Sequence, residues 1–248
     1  MRFVSETTAN GVSERLFCLG DIPGVLWQSA DATGARPLVL VGHGGGGGHK
    51  KAPMSWAHRL VACGFTVAAI DAPGCGDRLR GAADKMALAD VRHRQAAGEN
   101  VDPLIARLNA ELARQAVTEW RAVLDELGEL ASGPSGYWGV SLGTTIGIPL
   151  VAAEPRISAA VLGFASGENL MEPAARITVP VEFLLQWDDD LVPRDAGLAV
   201  FDALASREKT LHVNPGQHAD MPSFELDSAE RFFTRHLATK HRPPSPLH

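Results

Sequence analysis

Few cysteines, no long apolar run and no excess of positive charge mark this sequence of 248 residues. The three cysteines, Cys18, Cys63 and Cys75, are an odd number without metal-ligand spacing, so neither a disulfide framework nor a cysteine zinc site is supported. No segment approaches the roughly 18 apolar residues of a membrane span, and the N-terminus lacks an apolar signal core. The 29 acids outnumber the 23 bases, and the net charge of −6 argues against a nucleic-acid partner. We therefore expect a soluble, cytoplasmic protein that acts on a small molecule and has no membrane partner.

Short apolar runs alternate with longer helical patterns along the chain. The β-branched runs predict strands of a mostly parallel sheet with helices on both faces, an α/β fold. The predicted strands are 24–29, 37–42, 65–71, 136–140, 157–164, 181–187 and 209–214, and the predicted helices are 53–63, 103–130, 142–153, 195–206 and 223–238. Residues 13–20 and 24–29 are expected to form an antiparallel edge hairpin. We interpret 1–241 as one domain and the proline-rich 242–248 as a disordered tail.

A serine lies where a predicted strand meets a predicted helix. The stretch GVSLG (139–143) has the G-x-S-x-G pattern, in which glycines let the strand and the helix pass closely around a strained turn. Such a turn would expose the Ser141 hydroxyl at the carboxyl end of the sheet. The pattern also arises by chance in a chain with 25 glycines, but its place between strand and helix favours a nucleophile.

A serine hydroxyl is a weak nucleophile unless a histidine oriented by a carboxylate takes its proton. His218 lies on a glycine-containing loop after the strand 209–214, where catalytic groups are common. His212, inside that strand, and His236, on the last helix, are interpreted as core or solvated residues. Three acids follow the strand 181–187, and the chemistry needs only one of them. They are Asp188, Asp189 and Asp190.

Five motifs then occur in the order typical of one superfamily. They are VGHGG (41–45), DAPGCGDR (71–78), GVSLG (139–143), DDDLVP (188–193) and PGQH (215–218). The chain resembles the α/β-hydrolases, and among them the dienelactone hydrolase-like and prolyl-oligopeptidase-like esterases, over about residues 20–238. The resemblance implies an α/β-hydrolase fold, ester hydrolysis and no metal or organic cofactor.

The resemblance also implies roles for single residues. Its pattern places the acid on Asp189, the base on His218 and one oxyanion donor on Gly45, chosen over Gly44 and Gly46. Leu142, directly after the nucleophile, would supply the second N–H donor. Dienelactone hydrolases proper use a cysteine where this chain has a serine, so the resemblance does not imply dienelactone as the substrate.

The glycine run at 42–48 also fits another template. With Asp71 at the end of the next strand, it resembles the G-x-G-x-x-G fingerprint of a dinucleotide site. Against that interpretation, five consecutive glycines satisfy many templates, and a dinucleotide site leaves the ordered serine, aspartate and histidine unexplained. We interpret His43 as a structural histidine that supports the loop. The neighbouring cations are expected to be exposed; they are His49, Lys50 and Lys51.

Residues 77–112 are too long for a simple strand-to-helix connection and predict a helical excursion over the active-site end of the sheet. Asp102 and Pro103 are the expected cap and first turn of the helix that follows. The excursion is a candidate substrate-selecting cover. Its basic residues could receive a substrate carboxylate, although a solvated face is the simpler interpretation; they are Arg78, Arg80, Arg92, His93 and Arg94.

The sequence thus predicts a serine hydrolase that cleaves small-molecule carboxylic esters through an acyl-enzyme. Peptide cleavage, acyl transfer and C–C bond hydrolysis use the same constellation and stay open, because the site and not the fold sets the substrate. A non-catalytic ligand-binding module is a further alternative. A homodimer is expected only from the frequency of two-fold assemblies.

Overall fold

The computed structural model describes residues 1–45, 47–78, 81–128, 130–131 and 133–237. Four parts of the predictions therefore lie outside the described residues: Gly46, Arg80, the end of the predicted domain at 238–241 and the predicted tail at 242–248. The assignment of 1–241 to one domain stays a prediction.

A nine-stranded, mostly parallel sheet organises the described chain. Its strands are β1 Arg2–Ala9, β2 Val12–Leu19, β3 Ile22–Ser29, β4 Leu38–Gly42, β5 Thr66–Ile70, β6 Ser135–Val140, β7 Ile157–Gly163, β8 Val181–Gln186 and β9 Lys209–Asn214. They lie side by side in the order β1-β2-β3-β5-β4-β6-β7-β8-β9. The first three strands are antiparallel and β3 pairs antiparallel with β5, whereas every pair from β5 to β9 is parallel. The predicted sheet type is confirmed.

Helices cover both faces of this sheet, as predicted. They are α1 Met54–Ala62, α2 Ala82–Ala96, α3 Asp102–Leu127, α4 Leu142–Ala153, α5 Glu168–Ala174, α6 Arg194–Ala203 and α7 Phe224–Leu237. One apolar core joins the sheet to α1 and α7, and a second joins the opposite face to α3, α4, α5 and α6. The central strands β4 and β5 are buried at every position, which is why their sequences are apolar without alternation. Within the described residues, no helix combines the length and the apolar character that a membrane crossing requires.

The structure departs from the predictions at elements with weak sequence signals. β1 was missed because all its residues are exposed and it carries no apolar run. It lies outside the predicted hairpin, so β2 and β3 are not the sheet's edge on that side. α5 was missed because it has only seven residues, among them Pro173. Asp102 is the first residue of α3 and not its cap, which is Val101.

The excursion contains one helix of its own and the beginning of α3. α2 follows the loop after β5 and is attached thinly, since Val91 is its one buried residue among those whose side chains are described. Its position over the active-site end of the sheet stays a prediction.

Candidate active site

The residues predicted to carry the chemistry meet at the carboxyl ends of the parallel strands. Gly45 follows β4, Ser141 follows β6, Asp189 follows β8 and His218 follows β9. Parallel strands place these loops at the same edge of the sheet, where α/β proteins bind their ligands. Residues far apart in the chain are thereby brought into contact.

Ser141 lies on a strained turn between β6 and α4. Its backbone has φ 57° and ψ −120°, a conformation that costs a non-glycine residue about 1–3 kcal/mol. The surrounding backbones are too close for side chains: a Cβ on Gly139 would lie 2.8 Å from the Gly143 carbonyl carbon, and a Cβ on Gly143 would lie 3.0 Å from the Gly42 oxygen. Tyr137 donates its hydroxyl to the Gly143 carbonyl at 2.6 Å and anchors the first turn of α4. The two glycines of the G-x-S-x-G motif, Gly139 and Gly143, therefore allow the close approach of strand and helix that the sequence predicts.

A chain of hydrogen bonds connects the three predicted residues. His218 Nε2 lies 2.9 Å from Ser141 Oγ, and His218 Nδ1 lies 2.8 Å from Asp189 Oδ2. The Asp189 side chain is only 3% exposed, and its Oδ1 accepts the backbone N–H groups of Leu191 and Val192, both at 2.8 Å. The carboxylate is thus fixed by its own loop while it orients the imidazole.

The structure distinguishes the three acids that the sequence could not separate by chemistry alone. Among the described residues, only the Asp189 carboxylate contacts the imidazole of His218. Asp190 accepts the backbone N–H of His218 at 3.1 Å and so holds its loop, and the backbone N–H of Asp188 donates to Gly216. The position that the family pattern indicated is therefore the one in contact with the histidine.

Phe164 supports the imidazole and was not found in the sequence. It directly follows β7, is buried and has φ 55°, and its ring centroid lies 5.8 Å from that of His218. Nothing in its sequence neighbourhood indicates a positive φ for a phenylalanine, because that conformation is imposed by the strands around it.

The loop after β4 approaches the helix that begins behind the serine. A Cβ on Gly45 would lie 3.9 Å from Leu142 Cβ, so the two predicted donors are neighbours. Gly48 has no room for a side chain, since a Cβ there would lie 1.9 Å from the Gly44 oxygen, and Gly47 has φ 101°. Gly47 and Gly48 are therefore required by the backbone conformation of this loop.

His43 holds this loop in place, as predicted. Its Nε2 accepts the backbone N–H of Ala72 at 3.0 Å, so the proton is on Nδ1, which donates to the Gly44 carbonyl at 2.7 Å. Burial lowers the pKa of His43, which favours this neutral form.

Lys50 is buried, contrary to the prediction that the cations after the glycines are exposed; His49 is exposed as expected. The Nζ of Lys50 lies 3.0 Å from Asp71 Oδ2 and also contacts Asp77. The backbone N–H of Lys50 donates to Asp71 Oδ1 at 2.6 Å. Burial alone would lower the pKa of Lys50, but the hydrogen bonds to Asp77 and Asp71 outweigh it and the pKa is raised. The Asp71 carboxylate, which is fully buried and also accepts the Asp77 N–H, is unavailable to a ribose. Because the Asp71 carboxylate is already bound by Lys50 and by the Asp77 N–H, the acid that a dinucleotide site needs for the ribose is lacking.

Replacing Lys50 by methionine is expected to lower the free energy of unfolding by about 3–5 kcal/mol, because the Asp71 carboxylate would stay buried without its partner. The adjacent Lys51 offers a matched control. Its side chain is 38% exposed and pairs with Glu14, so Lys51→Met should cost no more than about 1 kcal/mol. Urea unfolding of the two variants measures the difference; equal losses would contradict a structural role for the Lys50 ion pair.

Two of the basic residues of the excursion, Arg78 and Arg94, are paired with acids. Arg78 is 8% exposed and holds Glu119 with both terminal nitrogens, and Arg94 pairs with Asp90 and Glu99. Arg78 is therefore not free to receive a substrate carboxylate, and it is not part of a solvated face either, so both interpretations offered above are wrong for this residue.

Comparison with known proteins agrees with this geometry. No family model and no curated protein matches the sequence. The structure of a cold-adapted esterase from an Arctic intertidal metagenomic library is 34% identical, with a TM-score of 0.79, over 96% of this chain and 100% of that one. Two acetyl xylan esterases share the fold. The structure of the one from Paenibacillus sp. R4 has 17% identity and a TM-score of 0.68 over 95% of this chain and 88% of its own. The structure of the one from Thermoanaerobacterium sp. JW/SL YS485 has 19% identity and a TM-score of 0.62 over 96% of this chain and 88% of its own. The chain belongs to the α/β-hydrolase superfamily.

Proposed function

We propose that this protein hydrolyses carboxylic esters of small molecules through a serine acyl-enzyme. One observation carries the proposal: Ser141 Oγ is 2.9 Å from His218 Nε2 while the other ring nitrogen faces the buried Asp189. This is the arrangement in which a base can take a hydroxyl proton and an acid can hold the base's tautomer. The 34% identity to a protein described as an esterase supports the same activity.

The first half of the reaction acylates the serine. His218 Nε2 accepts the Ser141 proton as Oγ bonds to the ester carbonyl carbon, and Asp189 stabilises the resulting imidazolium. The tetrahedral intermediate then collapses, the bond to the alkoxy oxygen breaks, and His218 returns its proton to the leaving alcohol. In the second half, water takes the alcohol's place and attacks the acyl carbon while His218 accepts its proton. The bond to Oγ then breaks, and His218 returns the proton to Ser141 as the carboxylic acid leaves.

The negative charge of the intermediate needs donors on the opposite side of the serine. The backbone N–H of Leu142 is at the N-terminus of α4, where the helix dipole favours an anion, and Gly45 lies beside it. We assign both N–H groups to the oxyanion. Each such donor contributes about 100- to 1,000-fold to the rate in enzymes of this mechanism.

The acyl-enzyme is tested by partitioning between water and methanol. Phenyl, p-nitrophenyl and ethyl acetate would all give the same acetyl-Ser141, so the ratio of methyl acetate to acetate should not depend on the leaving group. A ratio that changes with the leaving group would argue for direct attack by water. Absence of hydrolysis of all three esters would count against ester hydrolysis itself, and longer acyl chains then define the substrate range.

A further inference from the structure

A buried amide ends the strand that leads to the candidate acid. Gln186 is the last residue of β8, is 1% exposed and lies three residues before Asp189. Its Nε2 donates to the Gln217 carbonyl at 3.1 Å, whereas its Oε1 is buried and has no hydrogen-bond partner in the described part of the chain. Burying a polar atom without a partner costs free energy, so an apolar side chain of this length would suit the core better. Stability alone therefore does not explain a glutamine at this position.

The hydrogen bond made by Gln186 joins the two loops that carry the acid and the base. Gln217 directly precedes His218, so the amide holds the loop after β9 from the end of β8. The loops are also joined by the N–H of His218, which donates to Asp190 at 3.1 Å. Asp190 is exposed and water competes for that contact, whereas the Gln186 side chain is shielded from water. Of these two bonds, the one from Gln186 is therefore the less weakened by solvent.

The position of the loop after β9 determines both contacts of the imidazole. His218 Nδ1 lies 2.8 Å from Asp189 and Nε2 lies 2.9 Å from Ser141, so a shift of the ring lengthens at least one of these distances. Misplacement of a reacting group by about 1 Å can lower a rate by about 100-fold. A small displacement of this loop would therefore slow the chemistry without any change of fold.

We propose that Gln186 is a positioning residue, whose amide holds the His218 loop in place through the Gln217 carbonyl. The inference rests on the proposed ester hydrolysis and assigns Gln186 no contact with the substrate. The Gln217 carbonyl also accepts the N–H of Asp220 at 3.0 Å, so it stays hydrogen-bonded if the amide is removed. Removing the amide should therefore affect the rate more than the stability.

Replacing Gln186 by methionine tests this role, because methionine has a similar length and no donor. We expect kcat for p-nitrophenyl acetate to fall about tenfold, the effect of one neutral hydrogen bond, with KM changed by less than about twofold. The unfolding temperature should stay the same or rise, since the variant no longer buries an unpartnered oxygen. Leu184→Met is the matched control: it puts a methionine on the same face of β8, two residues earlier, and should keep kcat within a factor of about two.

The proton on His218 Nδ1 gives a readout that stability does not control. Held against Asp189, this proton should exchange slowly with water and give a separate low-field signal in the proton NMR spectrum. We expect that signal in the unaltered protein and a broadened or absent one in Gln186→Met. A signal that stays unchanged in the variant would overturn the proposal even if kcat and the unfolding temperature both fell, because that pattern indicates a purely structural role. An unchanged kcat would overturn it as well.

These measurements separate the positioning role from the proposed function. If the unaltered protein hydrolyses none of the acetate esters, the proposed function fails, and the NMR comparison still decides whether Gln186 holds the imidazole. If Gln186→Met does not fold, exchange of the Gln186 side-chain amide protons in the unaltered protein decides instead. Slow exchange is expected for a buried donor to Gln217, and exchange as fast as that of the exposed Gln95 would overturn the proposal.

Discussion

Replacing Ser141 by alanine is expected to lower kcat for p-nitrophenyl acetate by about 10⁴- to 10⁶-fold, with the protein still folded. The variant lacks the hydroxyl group that lies 2.9 Å from His218 Nε2 and whose proton this nitrogen would take. Residual activity would come from the N–H groups of Gly45 and Leu142 and from substrate binding, which do not depend on the hydroxyl. The alanine side chain also relieves none of the backbone strain at φ 57°, so stability should change little.

Ser158 provides the matched control for this experiment. It is a half-buried serine on β7 whose hydroxyl contacts the Ser135 carbonyl at 3.4 Å, away from the histidine. Ser158→Ala should keep kcat within a factor of about two to three, since a contact of that length contributes little. Full activity in Ser141→Ala, measured on protein with an unaltered circular dichroism spectrum, would refute the mechanism.

Replacing Asp189 by asparagine is expected to lower kcat by about 10⁴-fold. The asparagine carbonyl can still accept the N–H groups of Leu191 and Val192, so the loop should keep its shape. Its amide would then face His218 Nδ1 as a donor and force the proton onto Nε2. In that tautomer the imidazole cannot take the Ser141 proton.

The neighbouring acid makes this prediction discriminating. Asp190 accepts only the backbone N–H of His218 at 3.1 Å among its described contacts, and an asparagine carbonyl can do the same. Asp190→Asn should therefore cost at most about tenfold. If steady-state kinetics gave equal losses for the two variants, the assignment of the orienting acid to Asp189 would be wrong.

The sequence was sufficient to predict the secondary-structure elements with strong local signals. The central parallel strands were predicted because they are buried on both faces and their sequences are continuous apolar runs. Ser141 was proposed because its motif lies between a strand and a helix, and His218 because it follows a strand on a glycine-containing loop. The structure brings their side chains within 2.9 Å, and their catalytic roles stay proposals. Asp189 was proposed only from the family pattern, since three adjacent acids offer the same chemistry. In the structure its carboxylate contacts His218, and its role as the orienting acid stays a proposal.

Other features depend on contacts that no local pattern contains. From the sequence, Lys50 looks like one of three exposed cations after the glycines, and its burial follows from the position of Asp71 directly after β5. The glycine run and Asp71 match the sequence pattern of a dinucleotide site, but the Asp71 carboxylate is bound by Lys50 and cannot bind a ribose. Phe164 is buried and has φ 55°, which no local sequence pattern indicates for a phenylalanine.

Labelling with a fluorophosphonate tests the central claim most directly. The reagent reacts with a serine that a neighbouring base has activated, and tandem mass spectrometry locates the adduct. We expect one adduct per chain on the peptide containing Ser141, formed far more slowly in Asp189→Asn. An unlabelled protein, or an adduct on any other residue, would contradict it.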